Sequence, residues 1–294
     1  MDILAGQLFA GLSQGSILLL IALGLALTFG QMGVINMAHG EFIMAGAYTA
    51  YVMQGLLGSA GISLMLSIPV GFMVGGVLGL VLEATLIRRM YHRPLDTLLV
   101  TWGVSLILQQ LARDVFGPPN VDVGSPGWLQ GSIRVAGVDL AAARVFIVVV
   151  SVLCVALMSV LIRYTGFGRR VRAVVQNRDL AETAGISTRA SDQMTFFIGS
   201  GLAGVAGVAL TLLGSTGPTL GTNYIVDAFL VVVVGGIGQL RGAVIAAFVL
   251  GLLQSIFQYT TTASMAKVLL FVAIVAFLQL RPQGIVSVRS RSLV

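Results

Sequence analysis

Long uncharged apolar stretches recur along the whole chain. No charged residue occurs in the segments 3–29, 42–82, 97–112, 145–162 and 193–213. A helix needs about 20 apolar residues to cross the core of a bilayer, and the stretch 42–82 has room for two such helices. Only 10% of the residues are charged, whereas a typical soluble domain has about 25%. This pattern excludes a soluble enzyme and predicts an all-α polytopic membrane protein.

Two glycine-containing segments interrupt this pattern. Segment 30–41 joins two apolar runs, and segment 235–242 separates a short apolar piece from a longer one. Non-helical backbone at membrane depth is tolerated only where protein or a water-filled cavity surrounds it. We therefore predict a single transmembrane domain, 1–294, with about eight or more transmembrane helices and discontinuous segments near 30–41 and 235–242.

The arginines indicate how the chain is oriented in the membrane. Most of them lie in the connection 88–93, in the loop at about 163–190 and in the tail that follows Leu280. The Pro- and Gly-rich loop at about 117–143 contains only Arg134. Because loops rich in Lys and Arg stay in the cytoplasm, we expect loop 163–190 to be cytoplasmic and loop 117–143 to be periplasmic. The N-terminus is then outside and the C-terminus cytoplasmic.

The first candidate site is the polar break at 30–41, which contains Gln31, Asn36, His39 and Glu41. Ionisable groups within the membrane are costly and usually mark a polar pathway. One interpretation is a broken helix that lines or gates such a pathway. The alternative is a solvated turn followed by the N-cap of a helix.

The second candidate site is the glycine turn formed by Gly235, Gly236 and Gly238. A dinucleotide-binding loop would follow a strand, and a P-loop would contain Gly-Lys-Ser/Thr. This segment lies between apolar stretches and has neither feature. It is better interpreted as a tight turn between two half-helices that border the pathway. The sequence has no His-Glu-x-x-His motif and a single cysteine, so we predict no metal site.

The third candidate site is the arginine-rich loop. At helical spacing, Val171, Val174, Val175 and Ala181 share one face, and Gly185 is a plausible helix end. The loop is either a basic helix on the lipid headgroups or a helix that docks on a cytoplasmic partner.

These three segments together resemble the permease subunits of bacterial ABC importers in the branched-chain amino acid/urea family. The matching runs are Gly33-Val-Ile-Asn-Met-Ala-His-Gly-Glu41, Gly168-Arg-Arg-Val-Arg-Ala, Ala184-Gly-Ile186 and Val234-Gly-Gly-Ile-Gly238. The resemblance extends from about Ala10 to Gly284. Within the family, the runs 98–110, 172–178 and 224–229 look closest to the urea-transport branch.

The resemblance implies the permease subunit of an ATP-driven importer, with urea as the favoured solute. The importer would move this solute from periplasm to cytoplasm by alternating access. Its partners would be a second homologous permease, two cytoplasmic ATPases and a periplasmic binding protein, in the bacterial inner membrane. The chain itself would be neither an enzyme nor a cofactor-binding protein, since ATP would bind the ATPases. Arg172, Arg178, Glu182 and Gly185 would couple the chain to the ATPases.

Three alternatives differ in solute or mechanism: a branched-chain amino acid importer permease, a stand-alone small-solute channel and an intramembrane enzyme. The spans offer mainly uncharged polar groups, which favours a neutral solute such as urea over the zwitterion of a branched-chain amino acid. The polar groups in question are Gln14, Thr28, Gln31, Asn36, Gln109 and Gln110. A stand-alone channel would need no cytoplasmic docking site. An intramembrane enzyme would need a buried catalytic pair, and the sequence offers no convincing one.

Overall fold

A computed structural model describes residues 2–91, 93–135 and 138–286. His92, Arg289 and Arg291, which belong to the predicted arginine-rich segments, lie outside the described residues. The α-helices are α1 (Asp2–Met32), α2 (His39–Leu57), α3 (Ala60–Thr85), α4 (Pro94–Phe116), α5 (Ala142–Tyr164), α6 (Gly166–Gln176), α7 (Arg178–Thr183), α8 (Thr188–Leu210), α9 (Leu220–Gly235), α10 (Leu240–Thr260) and α11 (Ala263–Leu280). Strands β1 (Ser132–Val135) and β2 (Val138–Ala141) form an antiparallel hairpin that the sequence did not predict.

Within the described ranges, seven helices are long and apolar enough to cross a membrane, namely α1, α3, α4, α5, α8, α10 and α11. Two more helices pack into the same bundle. Helix α2 carries His39 and Glu41 in its first turn, and α9 is an apolar helix of 16 residues. The all-α polytopic fold and the breaks near 30–41 and 235–242 are therefore confirmed.

Glycines bring the central helices together. A Cβ atom on Gly75 of α3 would lie 2.5 Å from the carbonyl oxygen of Ser200 in α8. Gly71 and Gly79 of α3 also contact α8, at Gly204 and Ser200 respectively. Residues later in α3 therefore contact residues earlier in α8, so the two helices are antiparallel. Small residues allow this close backbone approach between helices in a membrane.

The connections lie at two opposite ends of the bundle. At the end that we call the arginine end, the α3–α4 connection meets α7, where the Arg178 guanidinium lies 5.1 Å from the ring centre of Tyr91. At the opposite end, which we call the loop end, Val121 and Thr216 pair as an isolated β-bridge. This separation agrees with the two sets of loops predicted to lie on opposite sides of the membrane.

The arginine-rich loop is not one continuous helix. Asn177 has an extended backbone between α6 and α7, and its side-chain oxygen accepts a hydrogen bond of 2.9 Å from the Leu180 amide. It therefore caps a new helix. The prediction of one shared apolar face is therefore wrong in part, because Val175 is 51% exposed. Gly185, with φ of +79°, does follow the end of α7 as predicted.

Candidate functional site

The chain turns back into the bundle after α1. Gly33 has φ of +65°, and the segment 33–38 leads to α2. The Nε2 atom of His39, the first residue of α2, lies 3.2 Å from the carbonyl oxygen of Ile21. At a rise of 1.5 Å per residue, Ile21 is about 16 Å from the last residue of α1. Helix α2 therefore begins inside the bundle and not at the arginine end.

Helix α9 also begins inside the bundle, where it meets the start of α2. A Cβ atom on Gly40 would lie 2.7 Å from the carbonyl oxygen of Gly221, so the two backbones touch at this point. The N-terminus of each helix carries a partial positive charge. Glu41 lies in the first turn of α2, where this charge favours a carboxylate.

Glu41 is the centre of a buried hydrogen-bond network. Its Oε1 atom accepts hydrogen bonds from Ser105 Oγ at 2.7 Å and from Gln109 Nε2 at 2.9 Å. Gln109 also donates to Thr222 Oγ1 at 3.0 Å, which connects the network to α9. The Glu41 side chain is 1% exposed, and no described residue donates to its Oε2 atom. The interpretation of this segment as a solvated turn is therefore wrong.

Helix α4 carries a stripe of polar side chains, two of which, Ser105 and Gln109, belong to this network. The stripe has one residue per turn: Thr97, Thr101, Ser105 and Gln109, all of them buried. Thr101 Oγ1 accepts a hydrogen bond of 3.1 Å from the amide of Met37, within the break. We call the stripe, together with Glu41 and Thr222, the polar seam. Sequence reasoning missed three of the four stripe residues, although their i, i+4 spacing is visible in the sequence.

Two further predicted residues lie in the interior beside the seam. Asn36 is 1% exposed, and its side-chain amide has no partner among the described residues. The His39 ring is fully buried and contacts α1. Asn36, His39 and Glu41 are thus all buried inside the helix bundle. The described residues contain no group of three His, Cys, Asp or Glu side chains able to hold a metal ion.

The other predicted residues lie elsewhere, at the arginine end. Gln31 bonds to Asp192 of α8 at 2.8 Å and is separated from the seam. Gly236 and Gly238 have φ of +101° and +74°, so the predicted tight turn is confirmed. A Cβ atom on Gly30 would lie 2.5 Å from the Cα atom of Gly238, which shows how closely this turn packs on α1.

The predicted coupling residues differ in the direction they face. Arg178 faces inward and pairs with the buried Asp192. Arg172 donates to the carbonyl oxygen of Ile162 across the α5–α6 junction, and the exposed Glu182 accepts from Thr188. Arg178 therefore holds the loop to the bundle, which leaves the exposed residues of α7 for contact with other molecules.

Tyr91 completes the contacts at the arginine end. Burial raises the pKa of its phenol, and the neighbouring Glu83 carboxylate raises it further. The phenol thus stays protonated and donates a hydrogen bond of 2.6 Å to Glu83 Oε1. This bond connects the α3–α4 connection to α3, while the Tyr91 ring contacts Arg178.

Comparison with known proteins covers almost the whole chain. The profile of the family described as "Branched-chain amino acid transport system / permease component" matches residues 7–278. No solved structure matches the chain significantly.

Three relatives carry names of the same kind. The chain is 30% identical to the high-affinity branched-chain amino acid transport system permease protein LivH of Escherichia coli K12, over 95% of this chain and 94% of that one. It is 29% identical to the corresponding protein BraD of Pseudomonas aeruginosa, with the same coverage. It is 30% identical to the probable LivH of Methanocaldococcus jannaschii, over 93% of this chain and 89% of the relative. The chain therefore belongs to the branched-chain amino acid transport permease family, as a multi-pass membrane permease subunit of an ABC transport system.

Proposed function

We propose that this chain is the permease subunit of an ATP-driven importer of branched-chain amino acids. The observation that carries the proposal is the similarity, at about 30% identity over nearly the full length, to permeases named for these solutes. None of the three relatives described above is named for urea transport. Branched-chain amino acids therefore replace urea as the proposed solute.

The chemistry of the polar seam supports this choice of solute. An amino acid crosses as a zwitterion, and it is accommodated best where an acid lies near its ammonium group and a positive potential lies near its carboxylate. The seam offers the Glu41 carboxylate and the N-termini of α2 and α9. Its hydroxyl and amide groups replace hydration at membrane depth. We propose that the pathway follows this seam, with Asn36 and His39 beside it.

The proposed orientation follows from the charges at the two ends. At the arginine end, Arg88 and Arg93 lie in the α3–α4 connection, Arg169 and Arg170 lie in α6, and Arg189 lies in the first turn of α8. We assign this end to the cytoplasm of a bacterial inner membrane. The N-terminus is then outside and the C-terminus inside. Two ATPase subunits dock below the two permeases and bind the ATP, and this chain contacts them through its loop at α6 and α7. A second permease subunit completes the membrane part, and a periplasmic binding protein delivers solute at the loop end.

Transport by a reconstituted complex tests the proposal. The chain, a second permease and the ATPases encoded beside it are placed in proteoliposomes, with the matching binding protein outside and ATP inside. Radiolabelled leucine or valine should accumulate only when ATP is present, and urea should not. Accumulation of urea in place of leucine would restore the urea assignment. Leucine flux through this chain alone, without the ATPases, would show a channel instead.

A further inference from the structure

Three side chains connect the cytoplasmic loop to the break that follows α1. We propose that Arg178, Asp192 and Gln31 form a relay through which movement of α7 changes the position of segment 33–41. The relay rests on the proposed function, because it gives a route from the docked ATPase to the polar seam. Arg178 and Gln31 are thereby positioning residues, and neither contacts the solute.

Asp192 is the centre of the relay. It lies in the second turn of α8 and is fully buried. Its two carboxylate oxygens serve two different helices: Oδ2 accepts from the Arg178 guanidinium at the start of α7, and Oδ1 accepts from Gln31 Nε2 at 2.8 Å. A buried carboxylate depends strongly on its partners, because removing one leaves a charge without compensation. Asp192 therefore holds α7 and α1 in fixed positions relative to α8.

Gln31 transfers this constraint to the break. Its side-chain oxygen accepts a hydrogen bond from Thr195, and its side-chain nitrogen donates to Asp192, so both ends of the amide are held by α8. Gln31 lies two residues before Gly33, at which the positive φ turns the chain toward α2. A shift of Gln31 is thus applied at the start of the segment that positions Glu41.

Helix α7 is suited to receive the movement. Arg178 faces the bundle, with its side chain 32% exposed, whereas Leu180 on the same helix is 67% exposed. An exposed leucine beside a buried ion pair gives α7 an outer face for a partner and an inner face fixed to α8. The Tyr91 ring, 5.1 Å from the guanidinium, limits the directions in which Arg178 can move.

The test measures the number of leucine molecules transported per ATP hydrolysed by the reconstituted complex. Asp192→Asn keeps the shape of the side chain and removes its charge. Gln31→Met keeps the length of its side chain and leaves the Arg178–Asp192 pair intact. Each variant should retain binding-protein-stimulated ATP hydrolysis within about twofold and lower the transport ratio by about fivefold or more. In the double variant the loss should be smaller than the product of the two single losses, because both changes interrupt one relay.

The matched control is Asp139→Asn, which breaks an exposed pair with Arg134 in the β-hairpin and should leave the ratio unchanged. If Asp192→Asn prevents assembly, the result with Gln31→Met decides. If the Gln31→Met complex assembles and transports as many leucine molecules per ATP as the wild type, the relay is overturned. Loss of assembly in that variant also overturns it, because Gln31 would then have a purely structural role. Absence of ATP-driven uptake by the wild-type complex would contradict the proposed function instead.

Discussion

Two buried carboxylates of the molecule have surroundings that differ in kind. Asp192, at the arginine end, is paired with the guanidinium of Arg178. Glu41, at membrane depth, is held by the neutral hydroxyl and amide groups of Ser105 and Gln109. An ion pair fixes its partners, since separating them exposes a charge to a medium of low dielectric constant. Neutral donors can be exchanged at lower cost, as the proposed contact between Glu41 and a passing solute requires.

The largest expected effect follows from removal of the cation at the arginine end. Arg178→Ala leaves the fully buried Asp192 carboxylate without its charged partner and should lower the free energy of unfolding by about 3 kcal/mol. Thermal unfolding of the purified complex in detergent measures the loss. A loss below about 1 kcal/mol would show that the two carboxylates are held in similar ways.

The glycine turn at the same end of the bundle should be the next most sensitive feature. Gly238→Val places a β-branched side chain at φ of +74°, in contact with Gly30. The backbone strain costs about 1–3 kcal/mol, so the variant should assemble poorly. A Cβ atom on Gly103 of α4 would meet no described residue of another element within 4 Å, so Gly103→Val serves as the control. Equal yields of the two variants would contradict a close turn.

Glu41→Gln should separate transport from stability. The substitution keeps the size of the side chain and an acceptor for Ser105, so unfolding should change by no more than about 1 kcal/mol. Leucine uptake should fall by about tenfold, since the seam loses its only carboxylate. Asp96→Asn, at an exposed position, is the control for loss of one negative charge. Wild-type uptake by Glu41→Gln would make Glu41 a structural residue like Asp192.

The smallest effect should come from a single neutral donor. Ser105→Ala removes one of the two hydrogen bonds to Glu41 Oε1 and leaves that of Gln109. The expected loss of stability is about 1 kcal/mol, with uptake reduced by no more than a few-fold. A loss as large as that of Arg178→Ala would show that Glu41 does not exchange its partners easily.

Much of the fold could be predicted because bilayer physics acts on local sequence. Uncharged runs indicated the helices, and the glycines of segments 30–41 and 235–242 indicated the breaks. The arginine distribution separated the two sets of loops. These features depend on residues close together in the chain, so a single sequence contains them.

The features that could not be predicted depend on contacts between residues that are distant in sequence. Glu41 could be recognised as unusual, but its partners Ser105 and Thr222 are identified only by the packing of α2, α4 and α9. Gln31 was placed with Glu41 because it lies close to it in the chain, whereas the turn at Gly33 directs them to different levels of the bundle. The break at Asn177 was missed because a helical periodicity continues across it.

The outer face of α4 has a consequence for the surroundings of the protein. Leu99, Trp102, Leu106 and Ile107 are each about half exposed or more, and the polar stripe occupies the opposite face of the same helix. Helix α4, about 10 Å in diameter, therefore separates the polar stripe from whatever lies beside this face of the chain. Under the proposed function, a lipid or a neighbouring subunit that tilts α4 would widen or narrow the pathway beside the stripe, so the thickness of the bilayer would affect solute passage.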